Sequence, residues 1–576
     1  MFVKKNSTKN GRILLTFTKA YREGGKNKQR NIETIGYLDD LEKIYDDPLA
    51  HFRKIARQRT KEEALETQPA SIELNPVTRI EEGEMGLRNL GYVAFEKIYH
   101  ELGIHSFFRK HQRGQKIEFN LNALFRLLVY SRLIDPGSKK QAYDHQGQFF
   151  ETLAPSLDSV YHSLDHFDRL NLDLQAWISK HLEEQYGRDR TVAYYDVTNY
   201  YFEIDEEDAL RRRGPSKEHR PFPLVQMGLL LDAQGLPLAY HLFPGNSSEK
   251  LSLHPLLNRV REDYDLGRIV VVADKGMNCG DNIAKQLARG NGYIYSQSIR
   301  GADGEFKQFV LDERGYQRTG DYGKVKSRLY PKEIRFINKQ GKRETLSIHQ
   351  KQVVFYSQDY ADKAAYERER TLAKARKLLK SPQQLMRAIN KSAASYIKGL
   401  QYNEEGEVIE PKTLLYLDEE KIKEEARLDG YYAIVTSELE LDDLEVIRLY
   451  HDLWKIEETF KISKVELRTR PVHVSLEAHI EAHFLTCFVA LVLVRTLELK
   501  LNQAKLKGEQ GPQVFSAFSL LDSLRQFSCS HVAENYYTFH YIDNNIKAIE
   551  QVLGLELDRK YRKRSEIRNV IANAKK

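Results

Sequence analysis

The stretch Thr191-Val192-Ala193-Tyr194-Tyr195-Asp196-Val197-Thr198-Asn199-Tyr200-Tyr201-Phe202-Glu203 follows a change of hydrophobic period from helical to alternating at Arg190. It is rich in β-branched and aromatic residues and reads as a strand with Asp196 at its middle. An acid there is out of place unless it is paired, bound to a cation or on an exposed edge. Downstream, Val225–Asp232 and Leu236–Phe243 read as a hairpin around Ala233-Gln234-Gly235, with Pro244-Gly245-Asn246 ending its second strand. An amphipathic helix over Leu251–Asp263 precedes the apolar run Arg268-Ile-Val-Val-Val-Ala-Asp274-Lys-Gly276, a buried strand with an acid at its tip. A helix over Asn282–Ala288 and a strand Tyr293–Ser296 complete the series. This order builds one mixed sheet with its first and fourth strands adjacent, which places Asp196 and Asp274 at neighbouring positions where they can share a cation.

Further on, Leu449, Leu453, Ile456, Phe460 and Ser463/Lys464 recur at helical steps, so Glu457 projects from a half-apolar helix that opens at Leu444. Taken alone, such a carboxylate is a solvated helix charge. Two further acids set by one topology raise a different reading for all three.

Around this core the chain divides by composition. Residues 1–85 read as a small basic β module (strands within 11–38), a charged helix over Asp39–Leu65 and a linker holding Pro69 and Pro76. Residues 86–189 are helical and expected to bind DNA. The core occupies 190–296 and 431–475, interrupted by an insertion over 297–430 with strand signals at Arg335–Asn338 and Gln352–Tyr356 and helices at Asp362–Leu379 and near Gln383–Leu400. Residues 476–576 are again helical, for DNA binding or dimerisation, and begin with a long apolar helix over Leu476–Leu499.

The 576 residues carry 89 Lys+Arg against 82 Asp+Glu, and the small excess is concentrated at the ends. The first thirty residues hold nine cations against Glu23 alone, and the tail from Arg559 holds eight against Glu566 alone, which suits a polyanionic partner. Cys279, Cys487 and Cys529 are too few and too scattered for a disulfide framework or a Cys-based zinc site, and fit a reducing compartment. No run reaches membrane-span length and no secretory leader opens the chain, so the expectation is a cytoplasmic protein that does not meet a membrane.

Tyr450, Glu457 and Lys464 stand at the spacing of the Tyr-x2-Arg-x3-Glu-x6-Lys signature, and Trp454 and Phe460 accompany them. With Tyr195-Asp196-Val-Thr198, Gly235-Leu-Pro-Leu, Phe243-Pro-Gly-Asn246, Val272-Ala-Asp274-Lys-Gly276, Arg470-Pro471-Val472 and the basic start from Asn10-Gly-Arg to Ile35-Gly-Tyr-Leu, the chain resembles the bacterial insertion-sequence transposases of the Asp-Asp-Glu type. It departs from them at Leu453, where the signature has Arg, with Arg448, Lys455 or Lys461 as replacements for the lost phosphate contact.

The resemblance implies an α/β fold with an RNase H-like mixed-sheet core and a two-metal site. Asp196, Asp274 and Glu457 would hold two Mg²⁺ ions, replaceable by Mn²⁺, that stabilise the attacking and leaving oxygens of a phosphodiester. Tyr450, Trp454, Lys464, Arg468 and Arg470 would contact DNA. Partners implied are the element's terminal inverted repeats and target DNA, with a homodimer in the synaptic complex, in the bacterial cytoplasm at the nucleoid. If a hairpin step flips a base, Phe306, Tyr293 or Tyr295 must receive it, because the insertion has no Trp.

Other readings are weaker. In His479-Ile-Glu-Ala-His483 the acid is displaced from the zinc-protease order, and the signature spacing selects Glu457 over Glu458. A glycosidase acid pair leaves the basic ends unexplained. A domesticated DNA-binding protein, or a structure-specific nuclease that hydrolyses without joining, is the alternative on the same fold.

Overall fold

The computed structural model describes all residues except 9, 24–25, 66–76, 78, 80–85, 152, 215–220, 265–266, 321, 339, 380–392, 394, 399–400, 403–407, 410–415, 509–510 and 534. The linker prolines Pro69 and Pro76 and most of the helix expected near Gln383–Leu400 therefore lie outside the described residues. Ile397–Lys398, within that range, is a short strand paired with Tyr416–Leu417.

Two compact units divide at Arg79/Ile80. The first is an antiparallel sheet of β1 (Phe2–Ser7), β2 (Ile13–Glu23) and β3 (Lys26–Tyr37), followed by α1 (Leu38–Leu41) and α2 (Pro48–Leu65). Leu15 and Phe17 of the central strand are buried, and Phe17 meets Phe52 of α2 edge-on. Arg12 binds both Asp39 and Asp40, which fixes the turn from sheet to helix.

The second unit begins with β4 (Leu87–Asn89) and the helices α3 (Tyr92–Glu101), α4 (Ile104–Gln112), α5 (Leu121–Ile134), α6 (Lys139–Asp144), α7 (Leu157–Arg169) and α8 (Asn171–Tyr186). Side-chain caps set several of their starts: Asn120 accepts from the Ala123 amide before α5, and Ser156 from Ser159 before α7. Then come β5 (Val192–Tyr201), β6 (Leu224–Asp232), β7 (Pro237–Pro244), α9 (Glu249–Tyr264), β8 (Val270–Ala273), α10 (Gly280–Ala288) and β9 (Gly292–Gln297). The insertion supplies α11 (Gly304–Leu311), β10 (Gln317–Thr319), β11 (Gly323–Ile337), β12 (Arg343–Tyr356), α12 (Gln358–Leu379) and α13 (Glu419–Ala426). The chain returns as β13 (Tyr431–Thr436), α14 (Asp443–His451), α15 (Trp454–Lys461), a π-turn at Ile462–Glu466 and α16 (Glu477–Gln503). It closes with α17 (Ala517–Gln526), β14 (Ser528–Ala533), β15 (Tyr536–Phe539), α18 (Asn544–Leu553), β16 (Tyr561–Lys563) and α19 (Arg564–Ala574).

The central sheet has nine strands in the order β10-β11-β12-β13-β9-β8-β5-β6-β7. Its first five strands in sequence lie as β7-β6-β5-β8-β9, with β6 antiparallel to β5, and β8 and β9 parallel to it. That is the RNase H-like arrangement, a mixed sheet with first and fourth strands adjacent. The returning strand and the strands of the insertion continue this sheet: β13 lies between β9 and β12, antiparallel to both. The reason is in the side chains. Val353, Val354 and Phe355 of β12, like Ala433, Ile434 and Val435 of β13, are consecutive buried apolar residues, and such strands need neighbours on both edges and cover on both faces.

Alternate residues of the sheet enter two different cores. Ala193, Tyr195, Val271, Ala273, Tyr293 and Tyr295 pack under α9 and α10. Tyr194, Tyr200, Val270, Val272 and Ile294 face the other way, into a core shared with the helices. At the centre of that core stands α16, apolar on nearly every side, which contacts α3, α5, α7, α8, α17, α18 and β7. A helix apolar all round needs an enclosing shell, and segments from both ends of this unit provide it. The pairing of β4 with β14 joins the same two segments edge to edge.

Two buried polar contacts tie sheet to helices. Arg188, just after α8, donates to Asp232 and to the carbonyls of Leu236 and Pro237, while Asp232 accepts from the amides of Gln234 and Leu236. Both side chains of the ion pair are fully enclosed. Elsewhere Lys139 of α6 contacts Nδ1 of His483, whose Nε2 meets the Thr469 carbonyl. His479, expected beside His483 only as a decoy, turns instead to Asp165.

Removing one partner of a buried ion pair leaves a charge without compensation, so Asp232→Ala is expected to lower stability by about 3–5 kcal/mol, read from the urea midpoint of the second unit's unfolding. Burial, aided by Arg132, pulls the Lys139 ammonium down from 10.5 to about 7. Between those values the unfolded chain binds the extra proton, so this residue makes the fold more stable as pH rises from 7. In a Lys139→Met variant that slope, up to about 1.4 kcal/mol per pH unit, is expected to vanish, as checked by urea unfolding of both proteins at pH 7, 8 and 9.

Candidate active site

Parallel pairing sets the site. Tyr195 of β5 stands beside Ala273 of β8, and Ala273 beside Tyr295 of β9. The next residue of each chain is Asp196, Asp274 and Ser296, a polar row across three adjacent strands. By alternation all three share the face of Tyr194, Val272 and Ile294, the face toward α14 and α15. Strand neighbours lie about 4.8 Å apart, so the two carboxylates are side by side.

Each is oriented locally. Asp196 accepts from the Val197 amide at 2.8 Å. Asp274 is exposed at the end of β8, where it accepts from the Lys275 amide at 2.6 Å and the Ser296 hydroxyl at 3.0 Å. Tyr450 of α14 is nearly buried; its hydroxyl lies 3.0 Å from that of Tyr432 and also reaches Ser296, and burial pushes its phenol well above the ordinary tyrosine range. Tyr450, expected at a DNA phosphate, is thus held next to Asp274 within an aromatic cluster.

The helix expected to run unbroken from Leu444 to Lys464 is divided. Asp442 caps α14, accepting from the amides of Leu444 and Glu445. At Asp452 and Leu453 the ladder tightens to three-residue bonds, from Lys455 to Asp452 and from Ile456 to Leu453. The Asp452 carboxylate is engaged by Lys455 at 3.0 Å and by the Tyr194 hydroxyl at 3.4 Å, and Lys455 also donates to the Ala233 carbonyl. These contacts hold the break against β5 and the hairpin that follows it.

On α15 the adjacent acids differ. Glu458 receives the buried Arg495 at 2.8 Å, whereas Glu457 is exposed and has no partner among the described residues. Trp454, one turn earlier, is 53 % exposed. The register puts Asp196 and Asp274 at adjacent positions, and the helix that carries Glu457 packs against the strand of Asp196; among the described residues no three acidic, His or Cys side chains form a ready metal cage. The pair itself suits a hard divalent cation, because its donors are carboxylate oxygens at a strand tip open to solvent.

Past α15, Lys464 lies on the π-turn and donates to the Thr198 hydroxyl, two residues beyond Asp196 on the same face of β5. Ser463 meets the hydroxyls of Tyr200 at 2.9 Å and Thr469 at 3.0 Å. Arg468 is exposed in a left-handed conformation (φ 42°), held by Arg132, which donates to the Leu467 and Arg468 carbonyls. Arg470 lies over the Tyr201 ring. Leu453 packs against the core, leaving the phosphate-contact position of the signature apolar. Of the substitutes, Arg448 is bound by Glu445 and Lys455 by Asp452, while Lys461 is exposed over Phe518.

A cleft of about 710 Å³ opens beside Asp274, with Lys275, Asn278, Ser296, Arg328, Tyr330 and Lys332 among its walls. Burial lowers the Lys332 ammonium from its ordinary value. Phe306, Tyr293 and Tyr295, the aromatics considered for a flipped base, are buried in the packing. Sequence reasoning passed over Ser296 and Tyr432. Ser296 was accessible to it, since alternation from Ile294 and the parallel order of strands put a hydroxyl beside Asp274.

Comparison with known families now bears on this geometry. Residues 202–493 match the transposase DDE domain, and residues 3–70 match the IS1634 family transposase N-terminal domain. Asp274 and Glu457 fall inside the first match and Asp196 just before it. A comparison with curated proteins finds no match. Among solved structures, the piggyBac transposase synaptic complex with hairpin DNA aligns over 84 % of each chain at 8 % identity and TM-score 0.35. The Mos1 transposase paired-end complex with the left transposon end aligns over 43 % of this chain and 67 % of that one at 11 % identity and TM-score 0.14. Neither alignment is close enough to carry an argument. The domain match spans just over half of the 576 residues, and with the N-terminal match it establishes that the chain belongs to the DDE transposases of insertion sequences.

Proposed function

We propose that this transposase cleaves the ends of its insertion sequence by metal-assisted hydrolysis and joins the freed 3′-OH ends to target DNA, with Asp196, Asp274 and Glu457 as metal ligands. The observation that carries the proposal is the row Asp196–Asp274–Ser296 at one end of three parallel strands, under the helix pair that carries Glu457. Asp196 would serve both ions, Asp274 one and Glu457 the other. Two Mg²⁺ ions, or Mn²⁺ in their place, supply charge stabilisation for the attacking and leaving oxygens of the phosphodiester.

The chain's own residues do the rest. The Ser296 hydroxyl fixes the rotamer of Asp274, and the Tyr450–Tyr432 pair holds Ser296 in turn. Lys464, on the π-turn against β5, and the exposed Arg468 and half-buried Arg470 hold the DNA backbone near the cut, where a point charge or a guanidinium gives register without reading sequence. Trp454 offers an exposed aromatic face next to Glu457 for contact with DNA. The ends are paired in a homodimer at the bacterial nucleoid.

The test is cleavage of DNA carrying the element's ends in Mg²⁺. Asp196→Asn, Asp274→Asn and Glu457→Gln are each expected to lose at least about 10³-fold in cleavage rate, on the order of 4 kcal/mol of transition-state stabilisation, while retaining DNA binding in a gel-shift assay. Equal cleavage by Glu457→Gln removes Glu457 from the site. Cleavage by wild type without any joined product identifies a structure-specific nuclease instead.

A further inference from the structure

The loop between α4 and α5 forms a corner far from the acids in sequence and unused by the chemistry above. Arg109, Lys110, Arg113 and Lys116 are all exposed there. Among the described residues none of the four has an acidic partner within ion-pair distance, and Glu118 is the single acid between Ile104 and Asn120. Four cations without an acidic partner within eight residues are a standing cost of self-repulsion.

Part of that charge belongs to the helix itself. Arg109, Lys110 and His111 lie in the last turn of α4, where cations meet the negative end of the helix dipole. Arg113 and Lys116 lie beyond it, and the corner is concave on the side of Arg109 and Arg113: a cavity of about 380 Å³ is lined by His105, Arg109, Gln112, Arg113, Asn120 and Asn122, with no carboxylate among them. The backbone of the corner is rigid. Gln112 donates to the Phe119 carbonyl at 2.6 Å and accepts from the Leu121 amide at 3.1 Å, closing the loop. The Phe119 ring meets His166 of α7 edge-on, and three residues later comes Arg169, also exposed. Flanked by His100 and Arg109 and partly buried, His105 titrates low, at about 4, so it enters as a neutral hydrogen-bonding group.

A rigid, concave, acid-free set of cations and amides matches a phosphodiester backbone: charges to neutralise phosphates, and Asn side chains to reach phosphate and sugar oxygens. We propose that the α4–α5 corner is a DNA-backbone contact surface of this transposase, with Arg109, Arg113 and Lys116 each neutralising one phosphate. The proposal rests on the reading that the chain binds DNA and adds where it does so away from the acids.

Salt dependence tests it, because each neutralised phosphate contributes about 0.9 to the slope of log K against log salt. The probes are two duplexes of equal length, one carrying the element's end and one of scrambled sequence, titrated with the full chain from 0.05 to about 0.2 M salt. For Arg109→Gln/Arg113→Gln/Lys116→Gln the slope is expected to become shallower by roughly 2–3 on both duplexes. The variant's unfolding midpoint should move little, since none of the three side chains has an ion-pair partner among the described residues and the small helix-dipole contribution of Arg109 is offset by relief of self-repulsion. An unchanged slope overturns the proposal, and so does a loss confined to the end-bearing duplex, which would mean base readout. Failure of the wild type to bind either duplex instead removes the functional reading on which the proposal stands.

Discussion

The parallel pairing of β5 with β8 is the constraint on which the rest depends. A strand can be parallel to its neighbour in the same sheet only if the chain leaves, crosses over and returns, and here the crossover is the β6–β7 hairpin followed by α9. Once that is fixed, alternation leaves no freedom: the residue after Tyr195 and the residue after Ala273 must lie side by side on one face. A one-residue slip would turn Asp274 toward α9 and α10, into an apolar core with no partner for it. Burial of Val271 and Ala273 on that side therefore protects the placement of the acids on the other.

The helical assembly serves the same end. The N-terminal helices, α16 and the C-terminal helices form one body around an all-apolar pillar, and that body reaches the π-turn through Arg132, His483 and Thr469, and the hairpin through Arg188. Lys464 and Arg468 are positioned less by their own short segments than by polar contacts from Thr198 and Arg132, 266 and 336 positions earlier in the chain.

Much of this was legible in the residues alone. The strands, the hairpin turn and the order that puts first beside fourth follow from period, turn chemistry and buried apolar runs. What sequence reasoning did not foresee has physical causes. The break at Asp452–Leu453 arises from tertiary contacts with Tyr194 and Ala233, which no local propensity encodes. The continuation of the sheet by β10–β13 depends on partner choice between distant strands. The burial of Tyr450 follows from Tyr432, a residue in the returning strand whose neighbour across α14 is set only by the assembled sheet. Ser296 was within reach of alternation but had no sequence signature to draw attention to it.

The π-turn at Ile462–Glu466 gives the signature spacing a further meaning. A π-turn holds one residue more than an α-turn, which advances the angular phase of all that follows by about 100°. Lys464 meets Thr198 in that altered phase. The six residues between Glu457 and Lys464 thus encode a rotation as well as a distance. Deleting one of them would swing the lysine off β5, and would also disturb packing, since Thr459, Phe460, Ile462 and Ser463 are buried. Point substitutions that keep the count leave the phase intact, so at the exposed Lys461 a change of residue is tolerated far better than a change of length.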